Sequence, residues 1–377
     1  MDQAWSNGKV GMYGKSWGGF NGLQMGYILP EESPLKTALS LFSTDNRYIE
    51  DIHYEGGCVV GGGMLFWAAR MFAWNARPPP PRYFTSRATW LAAWLKRLTL
   101  SGKSWLTSWL QHQHLDDSYW KQGSIDEDYS KVSIPVLAIG GLEDGYTNSA
   151  SRMAQHLNED SRVIVGPWCH DWPDISTAGP LIDYLSICLS WFSYHLKGEH
   201  VDPENKCTAW PRFQLFVRNS FKPEAIYDLS KENTDNLGRF VEFDDWISRS
   251  QHVYRSLDRK IVSDSSLNVN SLELTEPQHD PVKELHLTSS NNTNTITFHA
   301  PDHAPDPDNK LAIYSHALQG AHCGVWSPFG QPHGYPGDQA VSIANSVSFY
   351  SEPLSSPEVM VGAGRCVVKL SASSWTR

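Results

Sequence analysis

Residues 14–18 read Gly-Lys-Ser-Trp-Gly, between a short apolar run at Val10–Tyr13 and an apolar-periodic stretch from Phe20 to Ile28. A strand, a sharp turn and a helix in this order form the setting in which a serine hydroxyl can be presented as a nucleophile. The start of the following helix would place backbone N–H groups and the positive end of its dipole beside the oxygen. The pattern therefore predicts that Ser16 is the nucleophile of an acyl-transfer reaction.

A serine nucleophile needs a base within hydrogen-bond reach and a third group that orients the base. On a parallel sheet the acid and the histidine follow the serine in chain order, each on a loop after a strand. Glu143 and Asp144 come directly after one apolar run, and His170 comes directly after the next. Because parallel strands end at one edge of the sheet, we expect these side chains to meet Ser16 there. The residues alone leave the acid open between Asp144 and Glu143.

Other groups compete as reactive sites. Cys169 neighbours His170, but adjacent side chains diverge and no elbow precedes the thiol, so packing is the favoured interpretation. Asp45, Asp51 and His53 could bind a cation, although a polar patch between sheet and insertion is favoured over a metal site. We predict no bound metal and no cofactor.

Composition narrows the class of protein. The chain has 377 residues, a net charge of −10 and 40% apolar residues, which indicates about two globular domains. The acidic balance argues against nucleic-acid binding, and no apolar stretch is long enough to span a membrane. No secretion signal follows Met1, so we expect a cytoplasmic protein. A homodimer is an open possibility.

The chain divides into segments of different character. Apolar runs alternating with helical patterns over 1–199 predict an α/β core with a parallel sheet. A stretch at 50–130, rich in Trp, Leu and Ala, predicts a helical insertion that is either a cap over a pocket or a packing bundle. Short alternating runs over 200–377, beginning with Phe213–Val217 and Phe240–Phe243, predict a C-terminal β-sandwich.

Several stretches together resemble a known family. Residues 8–19, 141–146 and 166–170, with 337–339 and 347–354 later in the chain, are similar to X-Pro dipeptidyl-peptidases, cocaine esterase and related acyl hydrolases. The resemblance covers nearly the whole chain, and its three catalytic motifs are specific in combination. It implies an α/β-hydrolase core, a helical cap and a C-terminal jelly roll of the galactose-binding-like type.

The resemblance also implies roles for individual residues. Ser16 matches the nucleophile, His170 the general base, and Asp144 the orienting acid, because a small residue and an aromatic one follow it. The backbone N–H of Trp17 matches one donor of the oxyanion hole. The family segment that supplies further strands and a tyrosine as second oxyanion donor has no counterpart before Ser16. We therefore expect a chain truncated at both ends.

The expected function is a serine hydrolase that cleaves an ester or amide, of the acyl-esterase or X-Pro dipeptidyl type. The alternative is a catalytically impaired remnant or a non-catalytic jelly-roll interaction module. Trp67, Phe72 and Trp74 are predicted to line a pocket for an apolar acyl or aromatic group, with core packing as the alternative. The substrate would be a small-molecule ester or a short peptide. No acidic cluster that could hold the ammonium group of a substrate follows Asp144. This favours an esterase over a dipeptidyl-peptidase.

Overall fold

A computed structural model gives the structure of the chain. It describes residues 3–50, 52–102, 104–204, 206–220, 237–244, 320–331 and 334–339, together with the backbone of two strands at 285–289 and 292–296. The chain divides into two compact units. The first contains Met1–Trp246 and Trp326–Gly334, and the second contains Ile247–Val325 and Tyr335–Arg377.

A six-stranded mixed sheet forms the centre of the first unit. Its strands are β1 (Val10–Lys15), β2 (Leu35–Leu41), β5 (Val136–Gly141), β6 (Arg162–Gly166), β7 (Phe213–Arg218) and β8 (Gly238–Phe243), in the spatial order β1-β2-β5-β6-β7-β8. The first five run parallel and β8 is antiparallel to β7. The last two strands are predicted from the sequence to belong to the C-terminal β-sandwich, and this prediction is wrong. Both extend the main sheet instead.

Helices cover both faces of this sheet. They are α1 (Trp17–Ile28), α6 (Thr147–His156) and α7 (Tyr184–Lys197). Val136 and Ala138 of β5 pack with α1 and α6, whereas Leu137 and Ile139 pack on the opposite face with α7. Alternate residues of one strand thus enter two different cores, which explains why β5 reads as a continuous apolar run. The mixed sheet with its helices is consistent with the predicted α/β-hydrolase-like core.

The predicted helical insertion lies between β2 and β5. It contains a hairpin of β3 (Tyr54–Glu55) and β4 (Cys58–Val59), followed by α2 (Gly61–Ala76), α3 (Arg87–Ser101), α4 (Trp105–Gln111) and α5 (Ser118–Lys121). Its core is a separate cluster of large side chains: Tyr48, Tyr54, Met64, Ala68, Trp109 and Trp120. Two tryptophans of this stretch, Trp109 and Trp120, are therefore used for packing within the insertion.

In the second unit, β9 (Leu285–Ser289) and β10 (Asn292–Ile296) form an antiparallel pair. Most of the predicted jelly roll lies outside the described residues and stays a prediction. Across the described ranges, no helix is both long and apolar enough to cross a lipid bilayer.

Candidate active site

The turn after β1 holds Ser16 in the left-handed region of backbone conformations. Its φ of 60° and ψ of −124° are values that residues with a Cβ rarely adopt, at a cost on the order of 1–3 kcal/mol. The amide N–H of Ser16 donates to the carbonyl of Leu41 at 2.8 Å, which ties the turn to β2. The hydroxyl does not cap α1. The backbone therefore presents the Ser16 side chain in the manner of a nucleophile elbow.

The two glycines of the pentapeptide differ in whether a side chain would fit at their position. A Cβ built on Gly14 would lie 2.2 Å from the carbonyl carbon of Gly18, so no side chain fits at the first position. A Cβ built on Gly18 meets nothing within 4 Å. Only the first glycine is therefore required by close packing across the turn.

Asp144 and His170 form a buried hydrogen-bonded pair at the carboxyl ends of β5 and β6. His170 Nδ1 lies 2.8 Å from Asp144 Oδ1, and the two side chains are 6% and 0% exposed. Because a carboxylate can only accept, a neutral His170 carries its proton on Nδ1 and leaves Nε2 as an acceptor. That is the state a general base needs.

Glu143, the alternative acid, has a different partner. Its carboxylate pairs with the guanidinium of Arg218 on β7, and its backbone N–H donates to the Trp168 carbonyl at 3.1 Å. The structure therefore places Asp144, and not Glu143, against the histidine.

Three aromatic rings surround the imidazole of His170. The ring centroids of Phe42, Tyr146 and Phe329 lie 6.1, 5.6 and 5.0 Å from that of His170. Phe42 is fully buried and has a positive φ of 45°, so the chain turns sharply after β2 to place this ring. Such packing fixes the plane of the imidazole and keeps water from its bond to Asp144, which strengthens that bond.

A segment late in the chain, Trp326–Gly330, also contacts this site, which its sequence does not predict. The carbonyl of Pro328 accepts the backbone N–H of His170 at 3.0 Å, and the Ser327 hydroxyl lies 3.5 Å from Asp144 Oδ1. The segment forms no helix or strand, and 183 residues separate Ser327 from Asp144. Its only signal in the sequence is a cluster of Trp, Pro, Phe and Gly.

Trp326 closes over the loop that carries Asp144. A Cβ on Gly145 would lie 2.6 Å from the indole, and the indole meets the ring of Tyr146 edge-on at 5.5 Å. Its N–H donates to the carboxylate of Glu55 in the β3–β4 hairpin at 3.1 Å. The small residue after Asp144 is thus needed because the tryptophan packs directly on the backbone.

Ser16 lies at the same edge of the sheet as the Asp144–His170 pair. Lys15, the residue before it, donates from Nζ to the carbonyl of His170 at 3.3 Å. Within the described part of the chain, the hydrogen bonds of His170 do not include one to the Ser16 hydroxyl. Hydrogen bonds of this kind are often long until a substrate binds.

Trp17 occupies the first position of α1, where the backbone N–H has no partner within the helix. This placement is compatible with the predicted oxyanion donor, which stays a prediction. The indole of Trp17 is 38% exposed and meets the ring of Trp105 edge-on at 5.7 Å. It therefore connects the elbow to helix α4 of the insertion.

Trp67, Phe72 and Trp74 all lie on α2. Trp67 packs against the insertion core, and its ring lies 6.3 Å from that of Trp74. The guanidinium of Arg70 lies 4.5 Å from the centre of the Trp74 ring. No ring contact among the described residues joins these three side chains to the candidate catalytic residues. Their role in substrate binding stays a prediction.

The acidic residues near the sheet edge form an ion-pair network. Arg152 on α6 contacts buried Asp45 through two hydrogen bonds of 3.1 and 2.6 Å and reaches Glu50 at 3.0 Å. Asn148 also donates to Glu50. Burial raises the pKa of Glu50 even though Arg152 opposes this shift. Asp45 thus has a cation from the protein itself.

The disfavoured alternative, a cation-binding cluster of Asp45, Asp51 and His53, finds no support in these contacts. His53 packs between Trp109 and Trp120, with ring centroids 4.5 Å from each. Asp51 lies outside the described residues. Over the ranges that the structure describes, no group of three or more His, Cys, Asp or Glu side chains could hold a metal ion.

We expect Arg152→Met to destabilise the protein by about 3–5 kcal/mol at pH 8, because it leaves the carboxylates of Asp45 and Glu50 buried without a cation. Burial already raises the pKa of Glu50, and the variant loses the arginine that opposes this shift, so Glu50 binds a proton more tightly in the folded than in the unfolded variant and stability falls as pH rises. The loss should therefore be smaller at pH 5 than at pH 8. Urea denaturation at both pH values measures it. A pH-independent loss would contradict the assignment, and Arg87→Met on exposed α3 is the control.

Comparison with known proteins gives three findings. The family model of X-Pro dipeptidyl-peptidase (S15 family) matches residues 1–172, the part that contains Ser16, Asp144 and His170. The cocaine esterase of Rhodococcus sp. (strain MB1 Bresler) is 26% identical over 244 residues, which cover 58% of this chain and 42% of the esterase. The chain thus spans less than half the length of that relative.

A crystal structure of 2,6-dihydroxy-pseudo-oxynicotine hydrolase matches at 16% identity and a TM-score of 0.29, over 54% of this chain and 44% of that one. This likeness is too weak to assign a fold. The fold described above rests on the order and direction of the strands.

Proposed function

Because the chain belongs to the X-Pro dipeptidyl-peptidase and cocaine esterase-like family, we propose that it is a serine hydrolase with Ser16 as nucleophile, His170 as general base and Asp144 as orienting acid. The observation that carries this proposal is the buried 2.8 Å contact between His170 and Asp144. The strained backbone of Ser16 at the same sheet edge supports it.

The reaction proceeds through an acyl-enzyme. His170 Nε2 takes the proton of the Ser16 hydroxyl as the oxygen attacks the carbonyl carbon of the substrate. Asp144 stabilises the imidazolium that forms. His170 then gives this proton to the leaving alcohol or amine, and the bond between carbonyl carbon and leaving group breaks. Water repeats the sequence on the acyl-enzyme and releases the acid.

Negative charge develops on the carbonyl oxygen during the attack. The backbone N–H of Trp17 and the positive end of α1 supply stabilisation at this point. One lost oxyanion donor costs on the order of 100- to 1,000-fold in rate, so the number of donors sets how fast this chain can work.

Charge pairing around the site favours substrates without a free ammonium group. Glu143 is paired with Arg218, and Glu50 is paired with Arg152. A carboxylate that already contacts a guanidinium gains little from a second cation, and that cation would be repelled by the arginine. We therefore propose an uncharged ester as the substrate class, in preference to a peptide with a free N-terminus.

A fluorophosphonate probe tests the proposal directly. The Ser16 oxygen forms a bond to phosphorus, fluoride leaves, and His170 takes the serine proton. We expect the wild-type chain to be labelled on the peptide that contains residues 14–18, and Ser16→Ala to lose labelling. Ser133→Ala, at an exposed position, is the control, and the probe should label it to the same extent as the wild type. Absence of labelling in a folded wild-type sample would refute the proposal.

The second candidate is a chain that retains the site but turns over slowly. Its basis is that no hydrogen bond joins the Ser16 hydroxyl to His170 among the described residues; in this candidate the bond stays unmade when a substrate binds. Turnover of a p-nitrophenyl ester separates the two candidates. Labelling together with steady turnover supports a working hydrolase, whereas stoichiometric labelling with no turnover supports the impaired form.

A further inference from the structure

Lys15, the residue directly before the candidate nucleophile, contacts three consecutive residues of the histidine loop. Its Nζ donates to the carbonyl of His170 at 3.3 Å and lies 3.7 Å from Asp171 Oδ1. It also lies 4.8 Å from the centre of the Trp172 ring. The lysine side chain is 20% exposed and the aspartate 32% exposed, so both are partly withdrawn from water. One side chain thus joins the elbow to the loop that carries the candidate base.

The position of Lys15 is electrostatically unfavourable for a cation. Lys15 lies just before the first turn of α1, where the helix dipole disfavours positive charge. A single exposed ion pair would contribute about 0–1 kcal/mol and would not account for a lysine at this site. Carbonyl, carboxylate and ring together offset the unfavourable position, and all three belong to the loop of His170.

We propose that Lys15 is a positioning residue that locks the His170 loop to the nucleophile elbow. This inference rests on the proposed function, because a fixed distance between Ser16 and His170 matters only if a proton passes between them. The strands β1 and β6 are separated in the sheet by β2 and β5, so no strand pairing fixes that distance. Lys15 spans the gap with one side chain.

The test compares Lys15→Met and Lys15→Arg with the wild type, after active sites are counted with the fluorophosphonate probe. Per active site, we expect Lys15→Met to lower kcat about 10- to 100-fold with KM within about twofold, because a misplacement near 1 Å can cost 100-fold. Lys15→Arg should restore kcat to within about threefold. A lysine that served only stability would change the active fraction and leave kcat per site unchanged.

An unchanged kcat per site in Lys15→Met would overturn the positioning role. A folded wild type that neither labels nor turns over would instead overturn the proposed function itself, and with it the catalytic meaning of the contact.

Discussion

Replacing Asp144 by asparagine is expected to lower kcat for ester hydrolysis by about three to four orders of magnitude. The carboxylate accepts from Nδ1–H of His170 at 2.8 Å and so keeps Nε2 unprotonated. An asparagine can turn its amide N–H₂ toward Nδ1, which moves the proton of a neutral imidazole to Nε2. The histidine can then no longer take the proton of Ser16. The measurement is kcat and KM on a p-nitrophenyl ester.

The substitution is nearly isosteric, so the fold should persist. KM and the thermal unfolding temperature are expected to stay close to those of the wild type, which separates a chemical effect from unfolding. Glu143→Gln is the matched control, because Glu143 is the neighbouring acid and is paired with Arg218. Its kcat should stay within about threefold of the wild type. Equal losses in the two variants would refute the assignment of the acid.

Much of the site could be predicted from the sequence because each part follows a strand. The structure has β1, β5 and β6 directly before Ser16, the acid loop and the histidine loop, as the apolar runs predict. Chain order and the common edge of a parallel sheet then limit which residues can meet. The choice between Asp144 and Glu143 could not be made in this way, because both follow the same strand and only their partners differ.

The errors have a physical cause in long-range packing. The strands Phe213–Arg218 and Gly238–Phe243 are short and mix apolar with polar residues, a composition that fits a sandwich and an outer sheet strand equally well. Trp326–Gly330 has no periodicity at all, and its place is set by contacts with His170 and Gly145. Which sheet a strand joins, and which distant residues a segment contacts, cannot be predicted from the local sequence.

The disfavoured alternative of a cation cluster shows what residue types alone leave open. Asp45 and His53 have types that bind metals, but the sequence does not reveal which side chain will reach them. Arg152 comes from a helix far along the chain and forms an ion pair with Asp45. The tryptophans Trp109 and Trp120 fix His53. Residue type alone thus cannot separate a ligand from a paired or packed side chain.

The elbow makes the second large prediction, which concerns Gly14→Ala. The new methyl group would lie 2.2 Å from the carbonyl carbon of Gly18, closer than any two nonbonded carbons can approach. The turn must open, and Ser16 must move with it. We expect the rate of fluorophosphonate labelling to fall at least about 100-fold and the free energy of unfolding to fall by about 1–3 kcal/mol.

Gly18→Ala provides the matched control in the same pentapeptide. Its methyl group meets nothing within 4 Å, and alanine is favoured over glycine in a helix by about 0.5–1 kcal/mol. This variant should label within about threefold of the wild-type rate and unfold at the same or a slightly higher temperature. If both variants lost labelling alike, the second glycine would be needed for substrate approach and not only the first for the turn. If Gly14→Ala labelled normally, the tight elbow would not be what positions Ser16.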